Sequence, residues 1–180
     1  MKTLTAIKQR SSCRNFSTKQ ITEQELEQLI NAALAAPTAR NLQDLKINVI
    51  QDNQLIQDIS DESFRLMDEE ILERMKSRNA QSLFYGAPTV FILSSPYTSF
   101  SNQNAGLATQ NIALAAEAIG LSSCIIGLVA PAFAEDNPQN LKNRLSMTDD
   151  ERFCLAIAVG YANSEKEPHQ LNQNQIRIFD

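Results

Sequence analysis

The chain has 180 residues, of which 43% are hydrophobic and 21% are charged, and this composition indicates one globular domain rather than a disordered or fibrous protein. A net charge of -5 argues against general nucleic-acid binding, because such binding depends on neutralising phosphates. Three cysteines without a CxxC spacing and a single histidine argue against a disulfide framework or a zinc site and favour reduced thiols.

The first 22 residues are strongly basic, because they contain Lys2, Lys8, Arg10, Arg14 and Lys19 and no acidic residue. This segment therefore carries a charge of +5, and the rest of the chain carries -10. It lacks the apolar stretch of a signal peptide, and no later apolar run approaches the roughly 18 residues of a membrane span. We expect a cytoplasmic protein without membrane or nucleic-acid partners, whose basic segment binds an anion or an acidic surface.

The stretch RSSCRNF, residues 10–16, places two guanidinium groups four residues apart. Arg10 and Arg14 can fork onto the oxygens of one phosphate, while Ser11, Ser12 and nearby backbone N–H groups supply further donors. A solvated basic chain start is the alternative interpretation, and charge and spacing alone do not remove it.

The clearest predicted helix is ITEQELEQLINAALAAP, because Thr22 and Glu25 have the spacing of a capping box and Pro37 ends the apolar pattern. The loop that follows, APTARNLQ, can present Thr38, Asn41 and Gln43 to the polar edge of a planar heterocycle. An ordinary helix-ending turn is the alternative for this segment.

The remaining pattern predicts strands that alternate with helices. Residues 53–78 read as one long helix or two shorter ones, and the Ala-rich residues 102–120 as a central helix that is apolar nearly all round and capped by Gly120. A short helix is expected over 137–147. Strands are predicted in KINVIQD, APTVFILSS, SCIIGLV, FCLAIAVGYA and the terminal NQIRIFD. This order predicts an α+β or α/β protein, one domain over residues 1–180, with a mixed central sheet flanked by helices.

The usual catalytic constellations are missing from the sequence. His169 stands in a polar segment and is expected to be an exposed loop residue, and neither GxxxxGK[ST] nor GxGxxG occurs. The acidic run from Asp58 to Glu73 has helical spacing, so it predicts a solvated helix face rather than a metal site.

Four motifs in a fixed order resemble the nitroreductase family of FMN-dependent oxidoreductases. The first resembles R-x-S-x-R-x-F and stands here as Arg10, Ser12, Arg14 and Phe16. The second, A-P-S-x-x-N-x-Q-P, is similar to APTARNLQD. The others are FYGAPTVFIL and NAGLATQNIALAAEAIGLSSCIIG, followed by the late Gly160 and Tyr161. The similarity covers nearly the whole chain.

The resemblance implies an α+β homodimer with FMN at the interface and a C-terminal segment exchanged between subunits. It implies that Arg10, Ser11, Ser12 and Arg14 hold the flavin phosphate, and that Ile125, Ile126 and Gly127 run past the flavin face. The other subunit would place Pro37, Thr38, Ala39, Asn41 and Gln43 beside the isoalloxazine ring.

The implied reaction passes hydride from NADH or NADPH through flavin N5 to a small acceptor such as a nitroaromatic or a quinone, by a ping-pong route. Because the flavin carries the chemistry, no catalytic side chain is expected. A flavin-dependent dehalogenase or dehydrogenase of the same fold, or a flavin-binding protein with little turnover, remains an alternative. The chain departs from the family pattern with Thr38 for serine, Asp44 for proline, Asn104 for an acidic residue, and Leu171 or Asn172 where a basic residue often completes the phosphate site.

Overall fold

A computed structural model describes residues 2–77, 80–164 and 167–179 of the chain. Its five helices are α1 (Thr3–Gln9), α2 (Glu23–Leu34), α3 (Asn53–Arg65), α4 (Glu69–Ser77) and α5 (Ser101–Ala118). Its four strands are β1 (Lys46–Ile50), β2 (Thr89–Pro96), β3 (Ser122–Ile126) and β4 (Glu151–Gly160). Arg78, at the end of the predicted 53–78 helix, and Asp180, at the end of the predicted terminal strand, lie outside the described residues.

The four strands form one sheet in the order β1-β2-β4-β3, and every neighbouring pair is antiparallel. The prediction of a mixed sheet is therefore wrong for these strands. α5 does return the chain so that β3 runs in the direction of β2, but β4 inserts between the two and leaves them without a parallel contact. The parallel pairing that the structure does show is an isolated bridge between Ser12 and Ser123.

The sheet separates two hydrophobic clusters, because its strands are buried on both faces and alternate residues enter opposite sides. On one face Val90, Ile92 and Ala158 pack with the apolar sides of α3 and α4. On the other face Phe91, Leu93 and Ile157 pack with α2 and α5. The protein thus has three layers, with helices on both faces of the sheet.

The predicted beginning of α2 is confirmed. The hydroxyl of Thr22 accepts a hydrogen bond from the Glu25 N–H at 3.2 Å, and the Glu25 carboxylate accepts from the Thr22 N–H at 2.7 Å. This reciprocal capping box satisfies two of the N–H groups that a helix end leaves unpaired.

Of the two predictions for residues 53–78, one long helix or two shorter ones, the structure has the second, as α3 and α4. Their acidic residues take part in local pairs along the helices, such as Arg65 with Glu62 at 2.6 Å and Lys76 with Glu73 at 2.8 Å. Such pairs three residues apart are typical of a solvated helix face.

The Ala-rich helix α5 is central, as its all-round apolar pattern predicts. Ala105, Ala108, Ile112 and Ala113 are each 0% exposed. The chain leaves α5 through Gly120, whose φ of +86° is readily adopted by glycine and rarely by other residues.

Three segments differ from the sequence-based elements. The predicted helix over 137–147 is reduced to a 3-10 turn at Lys142–Leu145. The terminal NQIRIFD forms no strand with its own described chain, and Ile176, Ile178 and Phe179 stay 66%, 81% and 88% exposed. α1 has no counterpart among the predicted elements. It is a short helix of which only Ala6 is buried.

Among the described helices, none combines the length and the hydrophobicity of a membrane span.

Gly160 at the end of β4 tests how tightly this core is packed. A Cβ at Gly160 lies 2.8 Å from Cδ of Pro88 and 3.3 Å from Cδ1 of Phe16, so Gly160→Ala forces these rings to move. We expect a loss of about 1–3 kcal/mol of unfolding free energy, measured as a lower urea midpoint.

The matched control is Gly106→Ala inside α5, where a Cβ meets no described atom within 4 Å apart from its chain neighbours and the backbone of its own helix. Alanine is the better helix former by up to about 1 kcal/mol, so this variant should be neutral or more stable. Equal midpoints for Gly160→Ala and the wild type would contradict the packing argument.

Candidate functional site

Residues 10–17, here called the arginine loop, connect α1 to the sheet. Arg10 caps α1, since its N–H donates to the carbonyl of Ala6 at 2.9 Å. The Cys13 N–H then donates to the carbonyl of Ser123 at 2.8 Å, next to the bridge between Ser12 and Ser123. The first half of the arginine loop therefore lies along the outer edge of β3.

The second half of the arginine loop is fixed between two other segments. The Phe16 N–H donates to the carbonyl of Tyr85 at 3.2 Å, and the Ser17 N–H donates to the carbonyl of Tyr161 at 2.8 Å. The side-chain amide of Asn163 donates to the Phe16 carbonyl at 2.9 Å and to Oδ1 of Asn15 at 3.1 Å. Arg14 thus extends as an exposed cation from a backbone that is held at both ends.

A cavity of about 570 Å³ lies beside this loop. Its volume is within the range of about 300–1,000 Å³ that is usual for ligand sites. Its lining is polar, with one cation and no carboxylate among the described residues: Arg14, Asn15, Gln57, Ala80, Gln81, Ser82, Tyr85 and Gly86. Such a lining suits an anionic group or a heterocycle with several carbonyl and N–H groups.

A second set of contacts ties the arginine loop to α2. The Tyr161 hydroxyl lies 2.9 Å from both carboxylate oxygens of Glu25, and the Lys19 ammonium lies 4.1 Å from the centroid of the Tyr161 ring. Burial by itself raises the pKa of the Glu25 carboxyl, but hydrogen bonds from Thr22 and Tyr161, with the charge of Lys19, outweigh it and hold this pKa below its ordinary value of 4.5. The charged form of Glu25 therefore stabilises the fold.

Residues 38–43, here called the amide loop, follow the end of α2. The Gln43 N–H donates to Oγ1 of Thr38 at 3.0 Å, and Nε2 of Gln43 donates to Oδ1 of Asn41 at 2.9 Å. The Ala39 N–H donates to Oδ1 of Asn104 on α5, also at 3.0 Å. Pro37, Asn41 and Gln43 remain exposed, so the loop presents amide groups at the surface.

The predicted residues of β3 face different environments. Ile126 is 4% exposed and belongs to the core against α3, whereas Ile125 is 36% exposed and Gly127 is open to solvent. A bound molecule can therefore reach Ile125 and the backbone of Gly127, while the side chain of Ile126 packs in the core.

One protomer does not bring all the predicted site residues together. The arginine loop lies along β3, the amide loop leads directly into β1, and these strands form opposite edges of the sheet. Three strand spacings, about 14 Å, separate the edges. The cavity beside Arg14 and the cleft beside Thr38 and Gln43 have no lining residue in common.

Sequence reasoning missed the residues that complete the cavity and those that hold the loop. Gln57, Gln81 and Ser82 line the cavity with Arg14, and Asn163 fixes the loop backbone. Tyr85 also lines the cavity, and its sequence signal is the Tyr-Gly pair of FYGAP, a turn whose φ values are +57° and +78°.

The thiols and the histidine are not arranged for catalysis. Cys13 and Cys124 are buried, and Cys154 is half-buried. Burial, together with the nearby charge of Asp44, raises the pKa of the Cys154 thiol to about 11, so it stays protonated and unreactive at neutral pH. His169 is exposed, and no group of three or more possible metal ligands occurs within the described ranges.

Comparison with known proteins supplies an independent result. The family model described as Nitroreductase family matches residues 7–161. A nitroreductase with bound FMN from Desulfitobacterium hafniense DCB-2 is 28% identical, with 100% of both chains covered and a TM-score of 0.92. An FMN-dependent nitroreductase from Clostridium difficile R20291 is 27% identical, with 99% of both chains covered and a TM-score of 0.81. No match was found among curated proteins.

The Glu25 cluster predicts a specific dependence of stability on pH. Because the folded-state pKa of Glu25 is depressed, its contribution is complete well above pH 4.5 and is lost as the pH falls through the folded value. Glu25→Gln should therefore lower the urea stability at pH 7 by about 1 kcal/mol, a typical value for a helix cap. The difference from the wild type should shrink below pH 4.5.

Glu27→Gln, at an exposed position of the same helix, controls for the loss of one charge. A difference between Glu25→Gln and wild type that stays constant from pH 7 to pH 3 would show that the carboxylate form of Glu25 is not what stabilises the cluster.

Proposed function

The chain belongs to the nitroreductase family, and we propose that it is an FMN-dependent oxidoreductase that passes hydride from NADH or NADPH to a small nitroaromatic or quinone acceptor. The observation that carries this proposal is the arginine loop, whose fixed backbone holds Arg14 at a cavity of about 570 Å³ and has Arg10 at its start. Two similar solved structures are named as a nitroreductase with bound FMN and an FMN-dependent nitroreductase. The phosphate group of FMN suits the arginine donors of this loop.

The residues of the arginine loop fit the phosphate end of FMN. A phosphate monoester carries close to two negative charges at neutral pH, and two guanidinium groups with neighbouring serine hydroxyls neutralise and orient it. Arg10, Ser11, Ser12 and Arg14 are the proposed phosphate ligands. The backbone at Ile125, Ile126 and Gly127 is proposed to border the same site, and the bridge between Ser12 and Ser123, which aligns the loop with β3, supports this.

The amide loop fits the ring of a flavin bound to a second subunit. Asn41 and Gln43 offer donors and acceptors that can pair with the carbonyl and N–H edge of an isoalloxazine, with Pro37, Thr38 and Ala39 beside them. Because this loop and the arginine loop lie at opposite edges of one sheet, both walls of one site are more readily supplied by two chains. The proposed assembly is a homodimer with FMN at its interface.

The exposed apolar residues support this dimer. Leu4 on α1 is 73% exposed and Phe179 in the terminal segment is 88% exposed, which is costly for an isolated protomer. Among the described strands β1 pairs only with β2, so its outer edge is open to a strand from another chain. The terminal segment 174–179, which pairs with no described strand of its own chain, is the proposed occupant in the exchanged dimer.

The chain's own residues bind and orient rather than react. When bound, FMN supplies the two-electron chemistry by which hydride passes from the nicotinamide to the acceptor. Arg14 would neutralise the phosphate, and the amides of Asn15, Gln57 and Gln81, which line the cavity with Tyr85, would orient the bound molecule. No acid, base or thiol of the chain is assigned a proton transfer. We also propose that residues 1–180 form one domain and that the protein works in the cytoplasm.

Arg14→Ala tests the phosphate site. We expect purified Arg14→Ala to contain several-fold less FMN than the wild type, read from the visible flavin absorbance, with an unchanged apo-protein melting temperature. Arg74→Ala, an exposed arginine on α4, is the control and should keep full flavin content.

FMN at a hundredfold excess over its dissociation constant should raise the free energy of unfolding of the wild type by about 2.7 kcal/mol.

Turnover separates the proposed enzyme from its alternatives. The flavin-loaded protein should oxidise NADH or NADPH when a quinone or nitroaromatic is added. Full FMN occupancy without turnover would instead indicate a flavin-binding protein, and turnover only with a halogenated or saturated substrate would indicate a dehalogenase or dehydrogenase.

Phe179→Asp tests the role of the terminal segment. A carboxylate in place of this exposed ring should weaken the dimer at least tenfold in analytical ultracentrifugation and lower FMN retention with it. Asn174→Asp introduces the same charge at a polar position of the segment and should leave the dimer intact. A stable dimer of Phe179→Asp would argue against exchange of this segment.

A further inference from the structure

The amide loop is held in an unfavourable backbone conformation. Five non-glycine residues of the described chain have positive φ, and three of them belong to this one loop: Arg40 at +54°, Asn41 at +54° and Gln43 at +51°. L-residues rarely adopt this region, and such residues persist only where the surroundings enforce them. The loop therefore needs an anchor outside itself.

That anchor is Asn104 in the first turn of α5. Its side chain lies beneath the loop, the residue is 2% exposed, and its Oδ1 accepts the hydrogen bond from the Ala39 N–H at 3.0 Å. An N–H donor requires an acceptor opposite it, so this contact fixes which end of the Asn104 amide is oxygen. The orientation of the buried amide is therefore determined by the loop.

The other end of the same amide is left unsatisfied. Nδ2 of Asn104 is buried and has no hydrogen-bond partner among the described residues. Asn104 lines a cleft of about 130 Å³ together with Thr38 and Gln43, the two residues that close the amide loop. An unpaired buried donor lowers the free energy of unfolding. The Asn104 amide therefore bonds to Ala39 through its oxygen although its unpaired nitrogen costs stability.

We propose that Asn104 is a positioning residue, which fixes the backbone of Ala39 and thereby sets the conformation in which the amide loop meets the flavin of the other subunit. The flavin part of this inference rests on the proposed function. The required group is the acceptor oxygen, since it alone bonds to the loop, and the amide nitrogen is dispensable.

Two substitutions at this position separate the oxygen from the nitrogen. Asn104→Ala removes the acceptor and leaves the Ala39 N–H without its partner. Asn104→Asp keeps an oxygen at the same place and removes the unpaired donor, and its negative charge is favoured near the N-terminus of α5.

Asn111 provides a matched control on the same helix. Its Nδ2 donates to the carbonyl of Ala32 in α2 at 3.0 Å, so Asn111→Ala also removes one bond from α5 to the backbone of a neighbouring segment. That bond does not reach the amide loop. Any effect confined to Asn104→Ala is therefore due to the contact with Ala39.

The first measurement is hydrogen–deuterium exchange of the intact protein without substrate. We expect the Ala39 amide to exchange at least tenfold faster in Asn104→Ala, and at the wild-type rate in both Asn104→Asp and Asn111→Ala. Unchanged exchange in Asn104→Ala, or equally fast exchange in Asn104→Asp, would overturn the proposal.

The second measurement is the FMN dissociation constant together with kcat and KM for a quinone. Asn104→Ala should raise the FMN dissociation constant or the quinone KM several-fold, Asn104→Asp should restore both, and Asn111→Ala should match the wild type. Asn104→Ala could show fast Ala39 exchange together with wild-type FMN binding and kinetics. Asn104 would then fix the loop only, and its proposed role at the flavin would be refuted. A wild-type protein that binds no FMN would refute the proposed function, while the Ala39 exchange would still decide whether Asn104 fixes the loop.

Discussion

The insertion of β4 between β2 and β3 is the constraint on which the rest of the structure depends. β4 is an apolar strand of ten residues that pairs on both sides, so its burial fixes the order of the whole sheet. It also moves β3 to one edge and leaves β1 at the other. The arginine loop and the amide loop follow these edges, so one protomer keeps the two loops apart, and the proposed site draws on two protomers.

The same strand secures the arginine loop at its far end. The carbonyl of Tyr161, just after β4, accepts from Ser17, while the Tyr161 hydroxyl donates to Glu25 at the start of α2. The other end of α2 leads directly into the amide loop. A single helix thus connects the arginine loop with the amide loop, so the two loops of a protomer share one support.

The two loops are built on different physical principles. The arginine loop is stabilised by main-chain bonds to three separate segments, which leaves its guanidinium groups to meet an anion. The amide loop has few such bonds and contains three strained residues, held from beneath by Asn104. The buried Asn104 of the central helix supplies this loop with one hydrogen bond, through the Ala39 N–H.

The sequence by itself determined the elements whose signal is local. The capping box of Thr22 and Glu25, the all-apolar α5, and the paired arginines of residues 10–16 were all readable, because each depends on neighbours a few residues away. The antiparallel sheet, the separation of the two loops, and the contacts of Gln57, Asn104 and Asn163 emerge only in the folded chain. These depend on contacts between residues far apart in the chain, which are set by where β4 inserts, and no local spacing encodes that choice.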